Sequence, residues 1–543
     1  MSKIFRFLPS AVLAMGMALP ALAQVEMLSQ TVPAKPRPLP QLETLRSTGR
    51  DLTVSLKLEH SRSNKIGEDS VSLRSYNGKL VGPVLRVKPG QALNVRFENR
   101  LRCLKPPCEC QKGPALEHHH VSTVVDSLGV APDPKDFNTT NLHTHGLHVS
   151  PKDPADNVLR EVRAGGCTFS FRFEIPRNHP AGTFWYHPHV HGSTAIQVGS
   201  GAVGALIVEG AGLDLVPEVK AAREEILLFQ QIPYTCAARE KDPKAPCTTR
   251  DPGVVEDFDK SFGNGKWPQP WQTTTINGEV APLISMWPGE VQRWRMIHGG
   301  VRETLMVGVT PGIGSSSMPG WLHEIALDGL PTGEVAPRSA VELQPGYRVD
   351  VLAKAPIVTG IYYLIDQKTS AQESLLATAE EQKILAVIEV GGTGPDMRLP
   401  TSAQVARFRL PSVSDDEIKG RPVQNATFDI APKPDGTFAF MVDNEEFPGS
   451  TRVLQLGKAD EWNVETKRAS HPFHIHVNPF EVIEKDSSGR VTRKYWKDTM
   501  LVKVGQPLTL RSRYETFDGK FVLHCHILDH EDRGMMQYVE IKR

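Results

Sequence analysis

From residue 51 onward, the chain is dominated by short stretches in which apolar and polar residues alternate. Residues 53–59 (TVSLKLE) and 92–98 (ALNVRFE) are two of these stretches. Turn residues separate them, with Asn-Gly at 77–78 and Pro-Gly at 89–90. Alternation with a period of two buries one face of a strand, and Gly and Pro mark the turns between strands. The pattern therefore predicts an antiparallel β-sheet.

One phrase of this pattern occurs twice. Residues 77–90 begin with Asn-Gly and end with Pro-Gly, and residues 277–289 do the same 200 positions later (277 − 77). A domain-sized repeat of a β-sandwich explains this better than chance does. A third copy is less clear, although residues 453–457 and 462–464 have strand pattern where it should fall.

The repeat and the length of 543 residues predict an all-β chain of about three domains, because one hydrophobic core does not grow to this size. Two stretches without strand pattern, 210–223 and 391–402, are the expected linkers. The predicted division is a signal peptide at 1–23, an extended Pro-rich arm at 24–48, a first domain at 49–210 with a loop insertion at 101–140, a second domain at 222–391, and a third domain at 402–543.

Charge limits the partners that the chain can have. Its 62 basic and 62 acidic residues give a formal net charge of zero, so we expect no broad basic surface for nucleic acid or anionic lipid. After residue 23, no apolar run is long enough to span a bilayer. We therefore expect no nucleic-acid partner and no stable insertion into a membrane.

Residues 1–23 have the three parts of a secretory signal peptide. Lys3 and Arg6 form the charged head, residues 8–19 form a short apolar run, and Ala21 and Ala23 form a small-x-small cleavage site. The lack of an Arg-Arg pair favours a Sec-type signal that is cleaved after Ala23. The mature protein is expected in the periplasm or outside the cell.

Seven cysteines are present, and six remain if Cys525 binds a metal. An even number in an oxidising compartment predicts disulfides. Cys236 and Cys247 flank one loop and could pair locally. The other four allow three connectivities, among which the sequence does not choose: they are Cys103, Cys108, Cys110 and Cys167.

The predicted insertion at 101–140 is rich in Cys and His. It contains the run His118-His119-His120 as well as three of the cysteines. The plain interpretation is a disulfide-stapled loop with a solvated His run. The alternative is an auxiliary copper-capture loop, because Cys and His are suitable ligands for copper.

Four His-x-His pairs follow one another along the chain. They are His143/His145, His187/His189, His474/His476 and His524/His526. Each spacing places both imidazoles on one face of a strand, and in the last pair Cys525 points to the opposite face. One such pair is most often an ordinary surface or core feature, whereas four pairs, one of them enclosing a cysteine, indicate a metal centre.

Two kinds of copper site account for these residues. His530 and Met535 follow Cys525 by five and ten residues, and with His471 as a second imidazole they form the ligand set of a blue-copper site. Met536 competes with Met535 for the axial place. The eight paired imidazoles suit three closely spaced copper ions, two with three nitrogens and one with two. A structural zinc site normally has only four ligands.

The phrases around these residues resemble the four copper motifs of the multicopper oxidases, in the same order. They read HTHGLH, WYHPHVHG, HPFHIH and HCHILDHEDRGMM. The repeated turn phrases and the WKDT at 496–499 also resemble that family, and its three-domain bacterial laccase-like branch fits best. The resemblance implies three cupredoxin-type Greek-key β-sandwiches, with a trinuclear copper cluster between the first and the third. Thr144 stands where many relatives have Trp, which removes no ligand.

The resemblance also implies four copper ions and a role for each motif residue. The implied ligands are His471, Cys525, His530 and axial Met535 for type 1 copper; His143 and His474 for type 2 copper; and His145, His187, His189, His476, His524 and His526 for the type 3 pair. His148 and His191 fall outside the ligand positions and are expected to support them. Cys525 would relay single electrons to its two neighbours, and O2 would be reduced to two waters after four transfers.

Reduction of O2 to water also consumes protons, and a buried carboxylate near the cluster would be a suitable relay. Glu531 follows His530 directly, as in related bacterial enzymes that the sequence resembles. Asp156 matches, with a small offset, the family's acidic residue near type 2 copper. For both, the alternative is an ordinary hydrogen-bonded or ion-paired carboxylate. Asp498 is expected to be structural.

The reducing substrate stays open between two classes. A laccase-like oxidase of phenols or aromatic amines needs an accessible edge near His471 or His530. A metallo-oxidase of Cu(I) or another reduced metal ion often has Met-rich segments, whereas the thirteen Met here are scattered, with Met535 and Met536 as the only adjacent pair. A copper-free scaffold is disfavoured because all ten His and the Cys are present, and a copper nitrite reductase because it has two domains and lacks the full set of pairs.

Overall fold

The computed structural model describes residues 33, 35–47, 49–61, 64–103, 108–110, 137–262, 273–375 and 378–543. Within these ranges, β-strands dominate and the helices are short, which confirms the all-β prediction. The proposed signal peptide at 1–23 and the run His118–His120 lie outside the described residues. Their predicted roles stay predictions, as do the residue limits of the three domains.

The strands fall into three consecutive segments of chain. The first segment contains β1 (Thr44–Arg46), β2 (Leu52–His60), β3 (Asn64–Ile66), β4 (Asp69–Val71), β5 (Arg74–Tyr76), β6 (Val84–Val87), β7 (Ala92–Asn99), β8 (His143–His145), β9 (Cys167–Glu174), β10 (Gly182–His187) and β11 (Gly204–Val208). The second contains β12 (Arg223–Ile232), β13 (Thr273–Ile276), β14 (Leu283–Met286), β15 (Val291–His298), β16 (Leu305–Thr310), β17 (Leu322–Leu327), β18 (Leu330–Arg338), β19 (Ala340–Leu343), β20 (Arg348–Lys354), β21 (Gly360–Asp366) and β22 (Lys383–Val390).

The third segment completes the set. It contains β23 (Gln424–Pro432), β24 (Phe438–Val442), β25 (Arg452–Gln455), β26 (Ala459–Thr466), β27 (His471–Ile475), β28 (Phe480–Lys485), β29 (Val491–Lys497), β30 (Thr499–Val502), β31 (Leu508–Arg513), β32 (Gly519–Cys525) and β33 (Met536–Lys542). The α-helices in the described ranges are α1 (Thr194–Gly199), α2 (Pro217–Ala221), α3 (Phe258–Phe262), α4 (Ser402–Val405), α5 (Asp415–Ile418) and α6 (Leu528–Asp532). Among the described residues, every helix is too short or too polar to cross a bilayer.

Each segment forms two main sheets that enclose a core. In the first segment the strand orders are β5-β2-β7-β9 and β1-β6-β11-β10-β8, and Leu56 of one sheet shares a buried cluster with Leu206 of the other. The second segment has the orders β13-β12-β15-β20-β17-β18 and β14-β22-β21-β16-β19, and the third has β24-β23-β26-β31-β28-β29 and β25-β33-β32-β27-β30. This is the sandwich architecture that strand alternation and the repeat predicted.

The expectation of a purely antiparallel sheet is wrong in one respect. The two alternating stretches at 53–59 and 92–98 become β2 and β7, which pair in parallel with Leu52 opposite Leu93. The reason is that the chain between them crosses to the other sheet, where it forms β6, before it returns. Corresponding parallel pairs are β12 with β15 and β23 with β26 in the other two segments.

The repeated turn phrase has the same geometry in all three segments. Asn77 and Asn277 adopt positive φ angles of 54° and 56°, and Asp443 adopts 54°. In each case the side-chain Oδ1 accepts a hydrogen bond from the backbone of the neighbouring long strand, from Lys57, Leu228 or Thr427 at 2.9–3.0 Å. The third copy therefore exists, and its turn is Asp443-Asn444, which the sequence comparison missed because it lacks Gly.

All seven cysteines lie among the described residues, and six of them form disulfides. Cys236 pairs with Cys247, as the local spacing suggested. The other pairs are Cys103–Cys108 and Cys110–Cys167. Cys525 is unpaired and buried, which leaves its thiol available for a metal.

Candidate metal centre

Two strand pairs bring the His-x-His motifs together. β8 and β10 pair antiparallel in the first segment, with His143 opposite His187. β27 and β32 pair antiparallel in the third segment, with His474 opposite His524. The two pairs face each other across the boundary between the segments, because the His143 ring stacks on the His476 ring with 4.1 Å between centroids.

The eight imidazoles of the four motifs form one buried group, the eight-histidine cluster. Its members are His143, His145, His187, His189, His474, His476, His524 and His526, all described and at most 2% exposed. Nε2 of His524 lies 3.2 Å from Nε2 of His189 and 3.2 Å from Nε2 of His476. Nε2 of His526 lies 3.3 Å from Nδ1 of His145. Ring nitrogens at these distances require a shared proton or a shared cation between them.

Hydrogen bonds on the outer side of the cluster orient several rings. Nδ1 of His474 donates to the carbonyl of Asp498 at 2.7 Å, and Nδ1 of His187 donates to the carbonyl of Pro188 at 2.8 Å. Nδ1 of His143 donates to the Asp156 carboxylate at 3.0 Å. A ring that donates through Nδ1 presents the lone pair of Nε2. In all three, Nε2 is buried and has no hydrogen-bond partner among the described residues, which fits a metal ligand.

The chemistry of this group fits copper. Burial lowers the pKa of all eight imidazoles, which are therefore neutral at pH 7 and able to act as ligands. Imidazole nitrogen is a suitable ligand for copper. Three overlapping triplets have ligand atoms within 4.8 Å of one another: His143/His474/His476, His143/His145/His187 and His189/His476/His524. The overlap shows one continuous cluster, and the division between type 2 and type 3 ions stays a prediction.

A second group of ligand atoms surrounds Cys525 on the other face of β32. Its Sγ lies 3.4 Å from Nδ1 of His471 and 4.0 Å from Nδ1 of His530, and the two nitrogens are 3.4 Å apart. Cys525 and His471 are fully buried, whereas His530 is half-buried. Phe428 and Phe440 pack on the two imidazoles with centroid distances of 5.9 and 5.0 Å. This Cys525 group brings together three of the four predicted blue-copper ligands, and their role as copper ligands stays a prediction.

Burial raises the pKa of the Cys525 thiol well above its ordinary value. The thiolate that a metal needs therefore forms only with a cation beside it. Met535 is fully buried in the same apolar cluster as Cys525. Met536 belongs to a different cluster with Val522. This packing favours Met535 over Met536 as the residue beside Cys525.

The backbone of β32 joins the two groups. His524 and His526 are the chain neighbours of Cys525, and all three are fully buried. A continuous covalent path therefore runs from the thiol to two members of the eight-histidine cluster.

Glu531 lies against the cluster. Its Oε1 is 3.4 Å from Nδ1 of His189 and its Oε2 is 3.4 Å from Nδ1 of His524. Thr194, in α1, donates a hydrogen bond to Oε1 at 3.2 Å. Burial raises the pKa of Glu531 well above its ordinary value, and the adjacent Asp532 adds to the effect.

Asp156 lies against a different ring of the cluster, that of His143. It accepts hydrogen bonds from the ring of His143 and from the backbone N–H of Thr144 at 3.1 Å. Burial raises the pKa of Asp156 to about 8, which makes this carboxyl a candidate for holding a proton near neutral pH.

A buried ion-pair network lies beneath the cluster, and sequence reasoning missed its centre. Arg348, in β20 of the second segment, is fully buried and donates from Nη1 to Asp498 at 2.8 Å and from its backbone to Asp328 at 3.0 Å. Asp498 lies 3.3 Å from Nε2 of His145, and its carbonyl accepts from His474. Asp498 therefore connects Arg348 to two rings of the cluster. No local motif marks Arg348, so only a three-dimensional structure could have found it.

Two motif histidines outside the expected ligand set lie outside the cluster. Nδ1 of His148 donates to the carbonyl of Val477 at 2.9 Å, which joins the first segment to the third. The ring of His191 packs on Phe447 at 4.8 Å.

Family models match two stretches of the chain, one in the first segment and one that includes the whole third segment. The models described as "Multicopper oxidase" match residues 135–212 and 420–543. These two ranges contain all eight members of the eight-histidine cluster and the whole Cys525 group.

Full-length relatives match as well. The chain is 24% identical to a laccase of Bacillus subtilis over 524 residues, covering 86% of this chain and 90% of that protein. It is 22% identical to the multicopper oxidase mco of Staphylococcus aureus over 500 residues, covering 90% and 89%. A solved multicopper oxidase from Campylobacter jejuni, described as a metallo-oxidase, superposes with a TM-score of 0.67 at 20% identity, covering 94% of this chain and 98% of that one. The likeness confirms the cupredoxin-type β-sandwich fold.

Proposed function

The chain belongs to the multicopper oxidase family and is a copper-dependent oxidoreductase that uses O2 as its acceptor; from this premise, we propose that its reducing substrates are phenols or aromatic amines, as in a laccase. The observation that supports this most directly is the exposure of His530. Among the proposed ligands, all of them described, His530 alone is not fully buried. An organic donor needs only such an exposed edge to transfer an electron.

We propose a place for each of four copper ions. His471, Cys525, His530 and Met535 hold one, and the eight-histidine cluster holds three. Within the cluster, His143 and His474 serve one ion and the other six imidazoles serve a pair. Bound copper would supply the reversible one-electron chemistry that no side chain supplies by itself. The outer hydrogen bonds of His143, His187 and His474 keep their inward nitrogens ready for it.

The chain itself connects substrate oxidation with oxygen reduction. Each phenol loses one electron at the edge of His530 and releases its proton to solvent. The backbone between Cys525 and its two neighbours provides the electron path to the cluster. Four such oxidations supply the four electrons that convert one O2 and four protons into two waters.

Two carboxyl groups are proposed to deliver these protons. Glu531 lies 3.4 Å from imidazoles of two different segments, and Asp156 contacts the His143 ring. Both are almost fully buried, so a proton held by either can reach the cluster without a detour through bulk water. This proposal rests on their positions beside the cluster.

Oxidation of Cu(I) or another reduced metal ion is the second candidate function. The likeness to a structure described as a metallo-oxidase favours it. The scattered methionines argue against it, because Met535 and Met536 are the only adjacent pair in the sequence and both are buried.

Oxygen uptake separates the two candidates. Fully copper-loaded protein is supplied once with a methoxyphenol and once with chelated Cu(I), with free Cu(II) absent. We expect rapid uptake with the phenol and slow uptake with Cu(I). The reverse result would establish a metal oxidase and would direct attention to the Cys- and His-rich stretch at 101–140.

We also propose that the protein acts in the periplasm or is secreted. Support comes from the sequence of residues 1–23, which has the charged head, apolar run and cleavage site of a Sec-type signal. Expression in a bacterial host should yield a periplasmic protein whose first residue is Gln24. A cytoplasmic product that retains Met1 would contradict the proposal.

A further inference from the structure

The exposed edge of His530 has an arginine beside it that is held in place by aromatic rings. The guanidinium of Arg533 lies 5.4 Å from the ring centre of Phe440 and 5.2 Å from that of Phe258. Phe440 is also the ring that packs on His530 at 5.0 Å. Nη2 of Arg533 donates to the carbonyl of Phe262 at 3.3 Å. Arg533 therefore has a fixed position next to the place where electrons enter.

The charge of Arg533 is only weakly balanced. Its nearest carboxylate is that of Asp259 at 4.0 Å, and the Asp259 side chain is 88% exposed, so water screens the pair. The neighbouring Arg302 differs, because the buried carboxylate of Asp529 pairs with it closely. The Lys433 ammonium and the Glu446 carboxylate form an ion pair of 2.9 Å and so neutralise each other. The uncompensated charge at this edge is that of Arg533.

Two nitrogen atoms of the Arg533 guanidinium are available as hydrogen-bond donors. Nε and Nη1 donate to no group in the described part of the chain, and the side chain is 25% exposed. A guanidinium presents a fork of N–H groups that matches a carboxylate. On the same strand as Phe440, Phe438 lies two residues away and is 38% exposed, so the alternation of a strand puts both rings on one face.

We propose that Arg533 and the half-buried ring of His530, both packed on the buried Phe440 ring, form a binding site for aromatic electron donors that carry a carboxylate, such as phenolic acids. The carboxylate pairs with the guanidinium while the donor ring lies against the partly exposed His530 ring. The phenol then gives up one electron at His530 and its proton to solvent. Four such donors supply the four electrons that reduce one O2, with four protons, to two waters. The positive charge of Arg533 also disfavours the approach of Cu(I) and other metal cations. This inference rests on the proposed laccase-like function and narrows its substrate class.

A redox-inert pair of ligands tests binding apart from turnover. Dimethoxybenzoate and dimethoxybenzamide have the same shape and differ in charge, and neither has an oxidisable phenol. By calorimetry on copper-loaded protein, we expect the benzoate to bind at least about tenfold more tightly, the order of magnitude of a charge-assisted contact. Arg533→Gln should remove the difference and Arg533→Lys should keep part of it. Equal affinities in the wild type, or an unchanged difference in Arg533→Gln, would overturn the proposal.

A matched pair of substrates tests selectivity. Syringate and syringamide are the corresponding phenols, and the ratio of their kcat/KM values is compared between variants so that their different oxidation potentials cancel. The ratio should fall about three- to tenfold in Arg533→Gln, in the range of steering by a single charge, and high salt should reduce it in the wild type. The control is Arg172→Gln on β9, which removes another exposed, ion-paired arginine. Copper content and blue absorbance confirm that every variant retains the Cys525 group.

The possible outcomes distinguish a failure of the Arg533 binding site from a failure of the laccase-like function on which it rests. Oxidation of both phenols with a ratio that Arg533→Gln leaves unchanged contradicts the binding site and leaves the laccase-like function standing. Oxidation of Cu(I) with no oxidation of either phenol contradicts the laccase-like function, and the calorimetric comparison then still decides whether Arg533 binds carboxylates.

Discussion

At the scale of single residues, the cluster is organised by the hydrogen bonds on its outer side. His143, His187 and His474 each donate through Nδ1 to a fixed oxygen and leave Nε2 unpartnered in the interior. A buried polar atom without a partner is costly unless something satisfies it. The protein therefore holds these nitrogen atoms at a free-energy cost that a bound metal would remove. Copper loading should for this reason stabilise the fold.

The proton role of Glu531 is testable with an isosteric change. Glu531→Gln keeps the size of the side chain and removes the carboxyl proton. We expect kcat for oxygen uptake to fall about a hundredfold, the lower end of the range for loss of a general acid–base group, while copper content and blue absorbance are retained. Full oxygen reduction by Glu531→Gln at every pH would exclude the role. The same assay on Asp156→Asn tests the second carboxyl.

Asp366 predicts a pH-dependent stability that is separate from the metal centre. It lies at the end of β21, and burial raises its pKa to about 8. In the unfolded chain the group is ionised above about pH 4, whereas in the folded protein it stays protonated to about pH 8. Protons are therefore released on unfolding in this window, and stability falls as pH rises from 4 to 8.

The measurement is a melting temperature at pH 5 and at pH 8 for wild type and Asp366→Asn. Asn retains the acceptor for the backbone N–H of Met306, which Asp366 contacts at 2.8 Å. The melting temperature of the variant, relative to that of the wild type, should be higher at pH 8 than at pH 5. A difference in melting temperature that is the same at both pH values would contradict this account.

At the scale of strands and turns, the sequence was sufficient to predict the elements that depend only on residues close together in the chain. The alternating stretches at 53–59 and 92–98 became β2 and β7, and the Asn-Gly phrases became turns of positive φ. The direction in which β2 and β7 pair was predicted wrongly, because it depends on where the chain goes between them. The short helices α1 and α6 were not predicted either. The N-terminus of α1 is held by Asp532 of α6, which accepts from the backbone N–H of Ala195 at 2.7 Å, a partner 337 positions away.

The recurring turn predicts an effect on stability. Asn277 adopts a positive φ that most residues disfavour, and its side chain bonds the backbone of Leu228 at 3.0 Å and Ile226 at 2.8 Å. Asn277→Ala should destabilise the fold by about 2 kcal/mol, from lost hydrogen bonds and backbone strain.

Thermal unfolding checks this value, with about 2–4 °C expected per kcal/mol in a domain of this size. Asn277→Asp is the control, since it keeps the acceptor for Leu228 and should cost less. Equal melting temperatures for Asn277→Ala and the wild type would show that the side chain has no part in holding the turn.

At the scale of the whole molecule, the cluster depends on all three segments. The His-x-His spacings were visible in the sequence because the two members of each pair are neighbours in the chain, so these ligand candidates could be proposed from the sequence alone. Arg348 and Asp328 could not, because they come from the second segment and reach the cluster only through Asp498. What holds the first and third segments together is thus partly a property of the second.

Removal of Arg348 should therefore affect both stability and metal binding. Arg348→Met leaves the buried carboxylate of Asp498 without its guanidinium partner, which should cost about 3–5 kcal/mol, whereas Asp328 keeps Lys497 at 3.4 Å. Copper content after loading should also fall, since Asp498 contacts His145 and His474. Thermal unfolding and metal analysis measure the two effects.

A double variant provides the control. Adding Asp498→Asn to Arg348→Met removes the carboxylate charge that the first change leaves unpaired, so part of the lost stability should return. If Arg348→Met alone unfolds at the wild-type temperature and binds copper in full, the network has no such role.

The eight-histidine cluster also sets an order for biosynthesis. Half of its imidazoles lie before residue 190 and half lie after residue 470, so they are translated far apart in time. A nascent chain that has made only the first half offers at most four of the eight imidazoles and none of the Cys525 group. Complete metallation has to wait until the last strands are synthesised and have closed against the first, and copper supplied before that moment meets only a partial binding site.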